Sequence, residues 1–303
     1  MQDLSRPLTA FEYAAPESLP EVLALLREHG ARARLLAGGT DLMLEMKRRA
    51  AEPEILVDLG RVPELSFVEL AGDTLRIGAT ATLTEIKDST VVKQRAPLLI
   101  DAIRQFGSQL IRNRATVAGN LCNASPAADL APPLLALDAS VKLQGTTGER
   151  SLPLAEFFLA PGRTVIRPDE VLTEIAIPCR EGRAAYFKLG RRKGFAISLV
   201  AAAGFGVIAG GRVEDIRLAL SAVAPTPIRS LEAEAALIGE APSAAAIDRA
   251  AELVRQEVQR AADLRRPPPD GYRRATPPHR VEMSYRIAKR LLTGICNGEG
   301  ART

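Results

Sequence analysis

The residues best suited to chemistry in this chain fall in two glycine-rich segments. The first is Leu35, Leu36, Ala37, Gly38, Gly39, Thr40, Asp41 and Leu42. The second starts with Thr116, Val117, Ala118, Gly119 and Asn120 and runs on through Ala124-Ser125-Pro126-Ala127-Ala128 to Asp129. Each follows apolar or β-branched residues and then turns to small residues with hydroxyl or amide side chains. Glycine lets a ligand approach the backbone, and a run of free N–H groups makes a concave nest for phosphate oxygens. Two such segments far apart in sequence point to a diphosphate held between them. On this reading Gly38, Gly39 and Gly119 are glycines because a Cβ there would fill the diphosphate's space.

Neither segment is a common nucleotide loop. A P-loop closes its glycines with Lys-Ser or Lys-Thr, and here Leu42-Met43 stands at that place. Gly38-Gly39 does not supply the G-x-G-x-x-G of a dinucleotide fold. The G-x-G at Gly204-Phe205-Gly206 lies in an apolar run from Ser198 to Ile208 that meets Gly210-Gly211 and a second apolar run ending near Leu220. That pattern is strand, tight turn, strand, with no helix opening at the glycines.

The elements that must position these segments follow from local signals. Ser18 with Glu21 reads as a capping box opening a helix that carries Val22, Leu23, Leu25 and Leu26 and stops at Gly30. The chain then reads as a strand from Arg34, the first glycine loop, a helix from Asp41 to Arg49, and a strand Ile55 to Leu59. A hairpin follows, Ser66 to Leu70 and Thr74 to Gly78, then a second capping box at Thr82 and Glu85. A helix from Pro97 to Phe106 shows Leu98, Leu99, Ala102, Ile103 and Phe106 on one face. Val141 to Gln144 and Glu149 to Leu152 form another hairpin, and Val171 to Ile177 is a strand ended by Pro178. We place a domain boundary at Pro178 to Gly182, giving 1–178 (subdomains about 1–60 and 61–178) and 179–303. Beyond it come strands at Tyr186 to Leu189, 198–208 and 212–220, then helices Ser230 to Leu237, Ser243 to Asp263 and Met283 to Leu292. A proline-rich segment, 267–278, joins the last two.

At 303 residues, with 47% hydrophobic and 25% charged, the composition is that of a globular protein with real cores. The net charge of +4 is small. Its densest basic run, Arg265 to Arg274, reads as a solvated or partner-facing loop and not as a nucleic-acid site, since aromatics are 4% and tryptophan is absent. Cys122, Cys179 and Cys296 form no C-x-x-C, which speaks for a reducing compartment and against a zinc site or a cluster held by this chain alone. His29 and His279 are isolated and read as structural. Met1 is followed by no apolar secretory segment, and the longest apolar stretch is too short for a membrane span. A cytoplasmic location is expected.

At its glycine segments the chain resembles the FAD-binding medium subunits of the xanthine dehydrogenase and carbon monoxide dehydrogenase family of molybdenum hydroxylases. Asp169-Glu170-Val171-Leu172 leading to Pro178, and Ala185-Tyr186-Phe187-Lys188, match in family order, and the resemblance runs from about residue 8 to 292. It implies an α+β fold: a two-subdomain FAD-binding fold of the PCMH type, then a C-terminal antiparallel sheet with helices. It further implies that Leu35 to Leu42 and Thr116 to Asn120 wall the FAD diphosphate and ribityl chain, and that Phe106, Asp129, Leu172 and Lys188 contact the flavin or its sugar. Thr40 or Thr116 would answer phosphate oxygens, and Lys188 would counter charge on a reduced flavin. No catalytic residue and no metal ligand is expected here; the iron–sulfur small subunit and the molybdopterin large subunit of a hetero-oligomer would carry the rest. The cysteine-bearing insert of the hydroxybenzoyl-CoA reductase branch is absent between Asn123 and Asp129. Two other readings compete. A self-contained FAD-dependent oxidoreductase lacks an evident substrate base, and a scaffold module needs two accidental matches.

Overall fold

The computed structural model describes residues 7–192, 194–263 and 275–298. The basic run Arg265 to Arg274 lies outside them.

A small parallel sheet presents the first glycine segment. Ile55–Asp58 is its centre, flanked by Glu12–Ala14 and Ala33–Leu36. The strand Glu12–Ala14 is an addition to the sequence reading; three residues with exposed faces carry no alternation to detect. Helix Leu19–His29 is capped by Ser18, whose Oγ accepts from the Glu21 N–H, and ends at Gly30 with φ 53°. Its box is not reciprocal, because the Glu21 carboxylate accepts from the Glu17 N–H instead of Ser18. The second box closes fully: the Thr82 N–H donates to Glu85 Oε2 at 2.8 Å and the Glu85 N–H to Thr82 Oγ1 at 3.2 Å.

The second sheet has five antiparallel strands. Glu170–Pro178 lies at the centre and joins two hairpins, Val68–Ala71 with Thr74–Gly78 and Ser140–Gly145 with Gly148–Pro153. Every residue from Glu170 to Ile175 is buried, which suits a central strand. Leu98, Leu99, Ala102 and Ile103 of helix Pro97–Arg104 pack into the same core. Phe106 follows just after the helix ends.

The third sheet is antiparallel, in the order Arg183–Leu189, Val200–Ala209, Arg212–Ser221, Ile228–Arg229. Gly210 and Gly211, φ 56° and 74°, form the two-residue turn the sequence signals. Both faces are covered, so the strand at 200–206 reads as one apolar run. Ala201, Ala203 and Phe205 join the core of the first two sheets, while Val200 and Ala202 face helices Ala244–Asp263 and Pro277–Asn297. The G-x-G has a packing role: a Cβ on Gly204 or Gly206 would stand 2.6 or 2.8 Å from the side chain of Ile295 or of Ile216. The last helix starts at Pro277, six residues earlier than Met283. Thr276 caps it, and two prolines occupy its first turn, where a missing N–H costs nothing.

Candidate functional site

The two glycine segments meet. A cavity of about 630 Å³ lies between the first sheet, the short helix within the second segment, and the stretch at 162–172. Leu35, Ala37, Gly38, Gly39, Thr40, Asp41 and Leu42 line one side. Phe106, Thr116, Ala118, Gly119, Asn120 and Leu172 line the others.

Four anticipated residues do not line it. Leu36 lies behind the loop, its Cδ1 3.0 Å from where a Gly39 Cβ would be. Val117 is fully buried in the core. Asp129 and Lys188 form a buried ion pair, Nζ to Oδ2 at 2.6 Å, with Lys188 also donating to the Gln105 carbonyl at 3.1 Å and Ser198 Oγ donating to Asp129 Oδ1. Burial pushes the Asp129 carboxyl above its ordinary range and Lys188 pulls it back. The same burial, helped by the Asp129 charge, raises the Tyr186 phenol well above its usual value.

Local structure explains what each segment offers. After Leu36 the first segment leaves the sheet and turns through Gly39, φ 71°, into helix Leu42–Lys47. The backbone N–H groups of Gly39, Thr40 and Asp41 meet no protein acceptor among the described residues. This is the free donor run that phosphate oxygens need. Burial raises the Asp41 carboxyl, which favours its neutral form close to such a group.

The second segment differs from expectation. Val117–Cys122 is a short α-helix capped by Thr116, whose Oγ1 accepts the Gly119 N–H at 3.0 Å, and the Asn120 N–H goes to the Thr116 carbonyl. Those two N–H groups are thus committed, and this wall contributes side chains. Asn120 Oδ1 is buried without any partner. An orphan acceptor on a cavity wall fits a ligand that brings a hydroxyl or N–H donor.

The glycines also need a different account. A Cβ on Gly38 would lie 2.1 Å from the Arg114 carbonyl oxygen, so that glycine allows the two segments to touch. A Cβ on Gly119 would meet Thr116 Oγ1 at 2.9 Å, the cap itself. Only Gly39 is a glycine for its own backbone angle.

Sequence reasoning missed several wall residues. Arg34, Arg163 and Arg167 bring cationic side chains, and no pattern links Arg34 to two arginines some 130 residues further along the chain. Cys122 and Asn123 adjoin the quoted motif. Cys122 is accessible in the cavity, yet the protein packed round it withdraws its thiolate from water and pushes the thiol up to about 12. Glu170 fastens the third wall. It takes two bonds from Arg150, each 2.8 Å, and one from the Arg167 N–H, while Arg150 also holds the Val165 carbonyl.

Comparison with known proteins agrees with this arrangement. Residues 9–180 match the model for the FAD binding domain in molybdopterin dehydrogenase, and residues 185–277 match the CO dehydrogenase flavoprotein C-terminal domain. The chain is 37% identical over 260 residues to the carbon monoxide dehydrogenase medium chain of Hydrogenophaga pseudoflava, covering 84% of this chain and 89% of that one. It is 32% identical over 226 residues to the xanthine dehydrogenase FAD-binding subunit of Escherichia coli O157:H7, covering 73% and 77%. A solved structure of the Hydrogenophaga pseudoflava carbon monoxide dehydrogenase, lacking the Mo-pyranopterin moiety of its cofactor, superposes with a TM-score of 0.89 at 34% identity, over 98% of this chain and 100% of that one. With the first model covering more than half its length and the glycine segments walling one cavity, the chain belongs to the family of FAD-binding medium subunits of the molybdopterin dehydrogenases.

Proposed function

We propose that this chain holds FAD in the cavity between residues 35–42 and 116–120 and is the electron-transfer subunit of a molybdenum hydroxylase complex. An iron–sulfur small subunit would deliver electrons, and an external acceptor would take them. The substrate would be oxidised on a molybdopterin large subunit. One observation carries the reading: two segments distant in sequence wall a single cavity with free backbone donors on one side and the orphan acceptor Asn120 on the other. Flavin takes up electrons singly from iron–sulfur centres and passes them on in pairs, which is the chemistry the cofactor supplies when bound.

The residues here bind and orient. The N–H groups of Gly39, Thr40 and Asp41 answer the diphosphate, with the hydroxyls of Thr40 and Thr116 beside them. Asn120 accepts from the polar chain or ring, and Phe106 and Leu172 supply apolar wall. Asp129 and Lys188 support from behind: their pair fixes strand Arg183–Leu189 against Gln105, one residue before Phe106. We place the division between FAD-binding and C-terminal parts at 178–182. No helix among the described residues is long and apolar enough to cross a membrane. We infer a cytoplasmic location, supported by three free thiols.

The test is purification from the native host, with flavin, iron and molybdenum assayed in the same fractions. The expected result is FAD released on denaturation and both metals in the same complex. Organic substrate turned over by the single chain, free of iron and molybdenum, would instead establish a self-contained flavoenzyme.

A further inference from the structure

Three arginines on the cavity wall have no partner for their charge. Arg34 stands on the first sheet, and Arg163 and Arg167 stand on the stretch at 162–172. Each is exposed and also lines the cavity, which places all three at its mouth. The guanidinium groups of Arg163 and Arg167 make no hydrogen bond or ion pair with any described residue, and that of Arg34 reaches only the neighbouring Ala33 carbonyl, at 3.5 Å. The backbone beneath Arg163 and Arg167 is firmly held. The Gly162 N–H donates to the Ala124 carbonyl at 3.0 Å, the Val165 N–H to the Phe157 carbonyl at 3.0 Å, and the Arg167 N–H to Glu170 Oε2 at 2.8 Å. A long cationic side chain on a fixed support has less freedom left to lose when it closes on a ligand.

The cavity itself needs the charge these arginines carry. Asp41 and Glu45 line the same space, on the side of the free N–H groups of Gly39, Thr40 and Asp41. Glu170 lines it too, but Arg150 and the Arg167 N–H take up its carboxylate oxygens, and the Arg167 charge adds to the lowering of that carboxyl. Backbone N–H groups are dipoles and bring no net charge. Without the three arginines, an entering phosphate would meet Asp41 and Glu45 with nothing to offset them, and like charges repel. With them the wall carries an excess of positive charge. Guanidinium is also the side chain that meets phosphate oxygens with two parallel N–H donors.

We propose that Arg163 and Arg167, with Arg34 on the wall formed by the first sheet, offset Asp41 and Glu45 and make this cavity select a flavin that carries a diphosphate. The inference rests on the reading of the chain as an FAD-binding subunit. It adds which residues decide the choice of cofactor. The free N–H groups fix where the phosphates lie, and the arginines supply the charge that lets a dianion stay there. Because the arginines are exposed, salt screens their contribution, which falls as ionic strength rises.

The test uses the tagged full chain purified in its native assembly, stripped of flavin and titrated with FAD at several salt concentrations. Wild-type affinity should fall as salt is raised. The double variant Arg163→Gln and Arg167→Gln should keep the wild-type unfolding temperature, bind FAD about tenfold or more weakly at low salt, and show a flatter salt dependence. The milder pair Arg163→Lys and Arg167→Lys keeps the charge, guards against a folding defect, and should keep the salt slope. A glutamine pair that binds FAD as tightly as wild type, or more weakly with an unchanged slope, would overturn the assignment and leave FAD binding standing. A lysine pair as flat in salt as the glutamine pair would overturn it as well. Wild-type chain that takes up no FAD at any salt concentration would instead sink the flavoprotein reading.

Discussion

Asn120 and Cys122, two residues apart in helix Val117–Cys122, both line the cavity and report on the ligand in opposite ways. Asn120 Oδ1 is buried with no partner, a cost the chain bears until a donor arrives. Asn120→Leu should leave the apo protein as stable as wild type or more so, while weakening FAD binding about tenfold, equivalent to about 1.4 kcal/mol. Flavin titration alongside thermal unfolding checks both halves; a fall in apo stability with unchanged affinity would show that Asn120 serves the fold. Cys122 gives an occupancy signal. Its thiol, pushed up to about 12, is protonated at neutral pH, so alkylation should be slow there and accelerate in alkaline buffer. In a background with Cys179→Ser and Cys296→Ser, added FAD should protect Cys122 from maleimide. Equal labelling with and without FAD would place the cofactor away from this wall.

At the scale of elements, the stretch 162–172 depends on Glu170. Arg150 beside it, donating two hydrogen bonds, holds its carboxyl below the usual carboxylate range. A group whose folded pKa is depressed contributes stability above its unfolded value, near 4.5, and loses it as pH falls through the folded value. Glu170→Gln should therefore lower the unfolding temperature at neutral pH, and the gap from wild type should close as the solution is acidified below about pH 4. A gap constant down to about pH 3 would mean the Arg150 pairing contributes nothing. Some of this architecture is legible in sequence. Capping at Thr82, the stop at Gly30 and the Gly210-Gly211 turn each rest on a local rule, and each appears. The second glycine segment was legible as a site and not as a helix, since six residues hold too few turns to show a period. The Pro277 start was hidden because prolines that end a helix from inside also begin one. The arginines of the cavity were illegible: only the fold brings Arg34, Arg163 and Arg167 to one space.

Across the whole molecule, the C-terminal sheet completes the core of the other two and also fastens the second glycine segment. Lys188 and Ser198 bond to Asp129, and the Ala222 N–H donates to the Pro126 carbonyl at 2.6 Å. Lys188→Met would leave the Asp129 carboxylate buried without its cation, and removal of one partner from a buried pair costs about 3–5 kcal/mol. The expected result is a large loss of stability, partly restored by adding Asp129→Asn; denaturant unfolding of the single and double variants measures the coupling. Additive losses would mean that the pair is not coupled.

That fastening sets an order on biosynthesis. A ribosome releases residues 116–129 well before strand Arg212–Ser221 and Ala222 exist, and domains fold as units from the N-terminus during synthesis. Until the chain passes Ala222, the Ser125–Asp129 turn lacks its full set of grips from Lys188, Ser198 and Ala222. Cofactor loading is then a late event, gated by translation of the C-terminal strands. Ribosome-stalled chains ending near residue 180 should retain far less FAD than those extended past 260, and equal retention by the two would show that the N-terminal part builds its cavity unaided.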